Sequence, residues 1–242
     1  MGEGHGHAAM KQRRPPDEPF SNRPEDVLNK GLRAGVGALP VLGGPLVEFL
    51  AFVIGDPAQE RRDDFMRETL QRVIELEDRF EKLDKEALRD NEQFQATFMQ
   101  ATRLSTQSAS EEKRKLLQNA IINSAILDID ENRRLILMQF LERLTPVHVK
   151  VLALLDNPLA NPAAAHLAQH MMGGLIQVVE TALPELRENR PISERIAADL
   201  ESMGLVSGGN LHVTMTGQGL MAKRSTPLGQ MFLNFVARPE DL

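Results

Sequence analysis

Two histidines of this sequence have the spacing of a metal-ligand pair. His166 and His170 lie four residues apart in a stretch predicted to be helical, so both imidazoles fall on one face, as in helices that bind zinc. The residues between them do not include the glutamate of a metalloprotease helix. No third ligand is close in the sequence, although His148 or His212 could supply one after folding. Because such histidines are usually ordinary surface residues, we expect no bound metal and no cofactor.

Carboxylates follow one another closely at several points, and acid–base catalysis would need two of them in different environments. These groups are Asp63-Asp64, Glu111-Glu112 and Asp128-Asp130-Glu131. Adjacent charges on exposed helical turns usually cap helices and face solvent, and nothing in the sequence indicates the burial that shifts a catalytic pKa. The glycines between residues 31 and 44 match neither the dinucleotide fingerprint nor the phosphate-binding loop. We therefore expect no catalytic residues and a protein that is not an enzyme.

Three basic residues would be the first candidates for DNA contacts, namely Arg195, Lys223 and Arg224. The predicted recognition helix carries Arg195 together with three carboxylates. Residues 145–242 as a whole hold seven Lys or Arg against nine Asp or Glu. Phosphates are repelled by an acidic surface, so this balance disfavours DNA as a partner. A protein partner or self-association is the interaction that we expect.

The composition of the 242 residues indicates a helical protein. The net charge is −6, and there is no Cys, Trp or Tyr, so every aromatic residue is Phe. A core of Leu, Ile, Val, Ala, Met and Phe suits helices that pack on helices better than a β-sandwich. The absence of cysteine excludes disulfides and thiol nucleophiles, and it fits a reducing compartment. We expect a cytoplasmic protein.

The first 55 residues divide into two segments. Residues 1–30 mix Gly, His, Pro and charges, which predicts a flexible tail. Residues 31–55 are apolar and carry only Arg33 and Glu48 as charges, while prolines and glycines break them into two short helical pieces. Each piece is shorter than a membrane span. We favour burial of this segment in the fold, and insertion into a membrane is the alternative.

Residues 56–144 show the pattern of a helical bundle. Residues 56–88 predict one long amphipathic helix, and Asn91 to about Thr106 predict the next. Ser108 with Glu111 has capping-box spacing, and Asp130 can cap a further helix. The apolar positions expected to face the core are Val73, Leu76, Phe80, Leu83, Ala87, Phe94, Phe98, Ala101, Leu117, Ala120, Ile121, Ser124, Leu137, Phe140, Leu141 and Leu144.

Residues 145–242 predict a winged-helix domain. Thr145-Pro146 is a strong helix start, and further helices are expected near 166–186 and after Pro191, the last of them ending at Gly204. Residues 205–206 and 211–215 flank a Ser-Gly-Gly-Asn turn and predict a hairpin. Three helices followed by a hairpin give the order of a winged helix. The predicted fold class is therefore mostly α, with a helical bundle followed by a C-terminal winged-helix domain.

Two parts of the sequence also resemble known bacterial proteins. The blocks 147–152, 196–206, 215–219 and 225–233 resemble winged-helix domains of bacterial regulators. The blocks 38–45, 60–65, 91–94 and 112–121 resemble uncharacterised bacterial helical-bundle proteins and, more distantly, helical domains linked to abortive phage infection. This second resemblance spans most of residues 31–155 and supplies no catalytic residues.

The function that these observations predict is a non-enzymatic intracellular interaction or regulatory protein, in stress or phage defence, whose winged helix mainly contacts protein. Two alternatives stay open. One is a transcription regulator that binds DNA through residues 145–242, and the other is a membrane-active effector that uses residues 31–55.

Overall fold

The computed structural model describes residues 60–170, 172–208 and 210–242. The predicted tail and the apolar segment, residues 1–55, lie outside these residues. Residues 59–242 form one compact unit, so both sides of the predicted boundary at residue 145 belong to the same unit. The described part is mostly helical, as predicted, and contains one small two-stranded sheet.

Eleven α-helices occur in the described part. They are α1 (Glu60–Glu77), α2 (Lys85–Arg89), α3 (Glu92–Thr106), α4 (Glu111–Ile126), α5 (Glu131–Arg143), α6 (Pro146–Asp156), α7 (Pro162–His170), α8 (Leu175–Ala182), α9 (Arg190–Ser202), α10 (Gly217–Leu220) and α11 (Pro227–Val236). Single 3-10 turns lie at Glu81–Leu83, Pro158–Ala160, Pro184–Leu186 and Pro239–Asp241.

Helix α4 lies at the centre of the bundle. It contacts α1, α3, α5, α6 and α11, and every side chain from Leu117 to Ala125 is buried. A helix that is buried on all sides needs apolar or small side chains around its whole circumference, and this stretch carries no charge. Its polar members therefore need partners inside the protein.

The expected core positions of α3, α4 and α5 are confirmed, with one exception. Phe94, Phe98 and Ala101 are buried in α3, and the α4 and α5 positions named above are also buried apart from Phe140. Phe140 is half-buried, and its ring meets that of Phe232 edge-on at 5.9 Å between centroids. The periodicity of apolar residues therefore predicted the buried faces of these helices correctly.

The predicted caps are partly confirmed. The Asp130 side chain accepts the amide of Arg133 and starts α5 as expected. The cap of α4 is Ser110, which accepts the amide of Lys113, so the helix begins two residues later than the Ser108 prediction. Ser108 instead accepts the Ser110 amide with its hydroxyl and orders the turn before the helix.

The single long helix predicted for residues 56–88 is wrong. Helix α1 ends at Glu77, and α2 starts afresh because the Asp84 carboxylate accepts the amides of Glu86 and Ala87. Between them Phe80 has an extended backbone, with φ of −130°. Phe80 is therefore only half-buried and Ala87 is exposed, which corrects their expected core positions. The cap at Asp84 therefore starts a new helix, although the apolar periodicity continues through this stretch.

The sheet joins two short strands, β1 (Gly173–Gly174) and β2 (Thr214–Met215), in antiparallel register. Gly173 pairs with Met215, and Gly174 pairs with Thr214. Separately, Val206 forms an antiparallel bridge with Ser225. The predicted hairpin is thereby corrected, because its two arms, 205–206 and 211–215, pair with other segments. A Cβ on Gly174 would lie 2.8 Å from the Leu211 carbonyl oxygen, so this close approach requires glycine.

Candidate functional site

Arg224, one of the three predicted DNA contacts, is a buried structural residue. Its guanidinium donates to the carbonyls of Ala222 at 2.6 Å and Gly219 at 2.7 Å, and Nη2 lies 2.9 Å from Met215 Sδ. Its amide donates to the Leu155 carbonyl at 2.8 Å. Burial lowers the pKa of Arg224. This side chain ties the α10 turn to β2.

Lys223, the second of these residues, pairs with a carboxylate of α6. Its Nζ lies 2.8 Å from Asp156 Oδ1, which also accepts the hydroxyl of Ser225. Burial acts to raise the pKa of Asp156, but the hydrogen bonds from Lys223 and Ser225 and the charge of Lys223 together lower it. Asp156 is therefore an anion at neutral pH, and it competes with any phosphate for Lys223.

Arg195, the third predicted contact, is paired in the same way. Its Nε donates to Asp199 Oδ2 one turn along α9, at 2.8 Å. The guanidinium is itself exposed. Arg195 and Lys223 are thus each paired with a carboxylate, and Arg224 donates to two backbone carbonyls.

A buried histidine, named from the sequence only as a possible third metal ligand, links α6 to α9. His148 Nδ1 accepts the Thr145 amide at 3.2 Å and lies 2.8 Å from the Thr145 hydroxyl oxygen. Accepting the amide requires Nδ1 to be unprotonated, so Nε2 carries the proton of the neutral ring. Nε2 lies 3.6 Å from Asp199 Oδ2, which also binds Arg195.

Burial is the main cause that lowers the pKa of His148. The charges of Lys113 and Arg195 act in the same direction, while Asp199 opposes them. His148 is therefore neutral at pH 7. The spacing of Thr145 and His148 is that of a capping box, and this was the sequence signal that could have revealed the contact.

The hydroxyl, imidazole and carboxylate of Thr145, His148 and Asp199 occur in the order of a nucleophilic triad. A triad needs a ring nitrogen whose lone pair is free to take the hydroxyl proton. Here the lone pair of His148 Nδ1 already accepts the Thr145 amide. The geometry is that of a helix cap held against a neighbouring helix.

Lys113 is a buried amine beside this cluster. Its Nζ donates to the carbonyls of Leu141 and Leu144, at the C-terminal end of α5. Burial lowers the pKa of Lys113 to about 8, and the charge of Glu142 opposes that shift. The last carbonyls of a helix attract a cation, so Lys113 fastens α5 to α4.

The histidine pair of α7 lies on the surface, as expected. The rings of His166 and His170 are 4.6 Å apart between centroids, and both side chains are exposed. His148 and His212 do not join them, because His148 binds Thr145 and His212 binds Glu194 and Arg190 on α9. Among the residues that the structure describes, no group of three or more His, Asp or Glu could hold a metal ion.

The paired carboxylates have separate surroundings. Asp64 binds Arg67 at 2.6 Å in solvent, whereas Asp63 is buried and its pKa is raised by burial. This asymmetry was not visible in the sequence. Neighbouring residues of a helix project about 100° apart, so the two carboxylates do not face one site. Glu111 and Glu112 are exposed and pair with lysines and an arginine.

Neither a membrane-spanning helix in the described part nor a known relative identifies the function. No helix in the described ranges is long and apolar enough to cross a membrane, and the apolar segment 31–55 lies outside them. Among known proteins, no family model, no curated protein and no solved structure matches this chain. The resemblances stated from the sequence therefore stay predictions.

Proposed function

We propose that the chain is a non-enzymatic intracellular regulatory protein that binds another protein through residues 145–242, used as a winged-helix-like contact module. One observation supports this proposal, namely the internal pairing of the cations that DNA binding would need. Arg195 pairs with Asp199, Lys223 pairs with Asp156, and Arg224 is buried against carbonyls. We also propose a role in stress or phage defence, on the resemblance of the front part of the sequence to abortive-infection helical domains.

The start of α9 carries a mixed surface that suits a protein partner. Ile192, in the first turn, is 48% exposed. His212 bonds to Glu194 and Arg190, which brings the adjacent Val213, also 48% exposed, close to the same turns of α9. Exposed apolar side chains surrounded by paired charges are typical of a protein interface, with an apolar centre and a polar rim.

DNA binding is the alternative, and the order of elements favours it. Three helices, α7, α8 and α9, precede strand β2, although β1 lies between α7 and α8 and takes the place of the hairpin partner expected from the sequence. In a winged helix the counterpart of α9 enters the major groove. Phosphates would then have to displace Asp199 from Arg195 and Asp156 from Lys223, which weakens the electrostatic term that dominates DNA affinity.

The test measures the binding of DNA and the binding of a protein partner, both with the full chain. Fluorescence anisotropy with a random DNA duplex at physiological salt should give no binding below micromolar concentrations. Affinity capture from the native cell should recover a specific protein with the parent chain. Ile192→Glu and Val213→Glu should both abolish that capture, whereas Leu159→Glu, at a side chain 64% exposed on another turn, should retain it.

Two results would contradict the proposal. The first is capture that Ile192→Glu and Val213→Glu leave unchanged. The second is tight DNA binding that falls steeply with salt and is weakened by Arg195→Ala or Lys223→Ala, which would establish the DNA alternative.

A further inference from the structure

The exposed face of α7 holds two imidazoles that lie next to each other. His166 and His170 lie one turn apart, where side chains at i and i+4 are neighbours. Their ring centroids are 4.6 Å apart and the rings are tilted by 34°. Both side chains are exposed, so small rotations can bring a nitrogen of each ring within reach of one metal ion.

The hydrogen bonding of His170 fixes which nitrogen it presents. Nδ1 lies 2.8 Å from the His166 carbonyl oxygen, so Nδ1 carries a proton and donates it. The lone pair is then on Nε2. Metal-ligating histidines characteristically donate their other ring N–H to a backbone carbonyl or a carboxylate, which sets the tautomer and the ring orientation. The same backbone bond therefore prepares His170 as an Nε2 ligand before any metal arrives.

The other histidines of the described part are engaged elsewhere. His148 is buried against Thr145, and His212 donates to Glu194 and accepts from Arg190. The imidazole of His166, by contrast, makes no side-chain hydrogen bond or ion pair within the described ranges. This difference separates the α7 pair from an ordinary set of surface histidines and also supplies a matched control.

We infer that His166 and His170 form a two-imidazole site for a late first-row divalent cation, with Cu²⁺ bound more tightly than Zn²⁺. Neutral imidazole is the commonest protein ligand for these metals, and Cu²⁺ stands highest in their order of affinity. Water completes the coordination, because the structure provides two protein ligands. This inference goes beyond the proposed function and does not depend on it.

The position of the pair suggests what the ion does. His170 is the last residue of α7, and β1 begins three residues later at Gly173. A metal that bridges two consecutive turns holds the end of the helix in its folded form, and it stabilises the folded state by an amount that rises with the logarithm of the metal concentration above its Kd. Cu²⁺ therefore strengthens the helix that leads into the β1–β2 pair.

The experiment titrates Cu²⁺ alone into the full chain. The parent carries His5→Ala and His7→Ala, because these histidines are also potential ligands. We expect one tightly bound Cu²⁺, an electron paramagnetic resonance spectrum with nitrogen couplings from two imidazoles, and a raised Tm. His166→Ala and His170→Ala should each weaken binding at least tenfold, because the chelate is lost. His212→Ala should bind as the parent does.

Folding supplies the remaining control. Both ligands are exposed, so the two variants should keep the parent's circular dichroism and metal-free Tm. Unchanged affinity in either His166→Ala or His170→Ala would mean an adventitious ion only and would overturn the site. Tighter binding of Zn²⁺ than of Cu²⁺ would overturn the assigned metal preference.

Discussion

Gly229, near the start of α11, is the position where a single methyl group should disturb the fold most clearly. A Cβ at this residue would lie 2.1 Å from the Leu205 carbonyl oxygen and 3.1 Å from the Leu205 carbonyl carbon. That oxygen accepts the Thr226 amide at 2.9 Å, so it belongs to a fixed backbone link. It cannot rotate away as a flexible side chain would. In Gly229→Ala the helix must therefore move away from Leu205.

The expected magnitude follows from two opposing terms. Overpacking a filled interior costs about 1 to 3 kcal/mol, and a backbone obstacle places this site at about 3 kcal/mol. Alanine is a better helix former than glycine, which stabilises the folded variant by about 1 kcal/mol. The net loss in the free energy of unfolding should therefore be about 2 kcal/mol. In a chain of this length that corresponds to a Tm lower by ~4–8 °C.

Urea unfolding followed by circular dichroism measures this loss, and Gly219→Ala is the matched control. At Gly219 the nearest atom to an added Cβ is Met215 Cβ at 3.1 Å, followed by the Thr216 hydroxyl oxygen at 3.6 Å, and both belong to side chains. That variant should lose less than about 1 kcal/mol, because a 3.1 Å contact is relieved by a shift of a few tenths of an ångström, whereas the 2.1 Å contact at Gly229 is not. If the two variants prove equally stable, the close approach of α11 to Leu205 is not a constraint on the fold.

Three further predictions concern buried groups. Burial lowers the pKa of His148 below its ordinary value of 6.5. As the pH falls through 6.5, this histidine therefore takes up its proton more readily in the unfolded chain than in the folded one. Stability should fall from pH 7.5 to 5.5, and by less in His148→Gln, as measured by urea unfolding. Asn123→Ala should lose about 1 to 3 kcal/mol in the same assay, because carbonyls at the end of α11 lose their donor. Phe94→Ala should lose about 3 to 5 kcal/mol by thermal unfolding, whereas Phe80→Ala, at a half-buried ring, should lose less than half as much. Equal losses for the two phenylalanines would contradict the break after α1.

Local sequence signals were sufficient wherever one helix face decides the structure. The spacing of Phe94, Phe98 and Ala101 predicted the buried side of α3, since a 3.6-residue period places them on one stripe. Asp130 was correctly predicted as a cap because capping depends on residues only three positions apart. Thr145-Pro146 marked the start of α6 for the same reason.

Pairings between distant segments could not be predicted. The arms of the expected hairpin have the right residues for strands, but β2 pairs with Gly173-Gly174, about forty residues earlier in the chain. The surroundings of the candidate DNA contacts were hidden from the sequence for a related reason. Sequence reveals that Arg224 is basic, but it does not reveal the carbonyls of Ala222 and Gly219 that surround its guanidinium.

The amides of α4 explain why the end of the chain packs as part of the bundle. Asn123 Nδ2 donates to the carbonyls of Asn234, Phe235 and Ala237, and Asn119 Nδ2 donates to that of Val236. The last carbonyls of a helix have no partner within it, and a buried helix end needs donors from elsewhere. Two asparagines in the most buried helix supply these donors to α11, more than a hundred residues away. The change in sequence composition at residue 145 therefore coincides with no break in the packing.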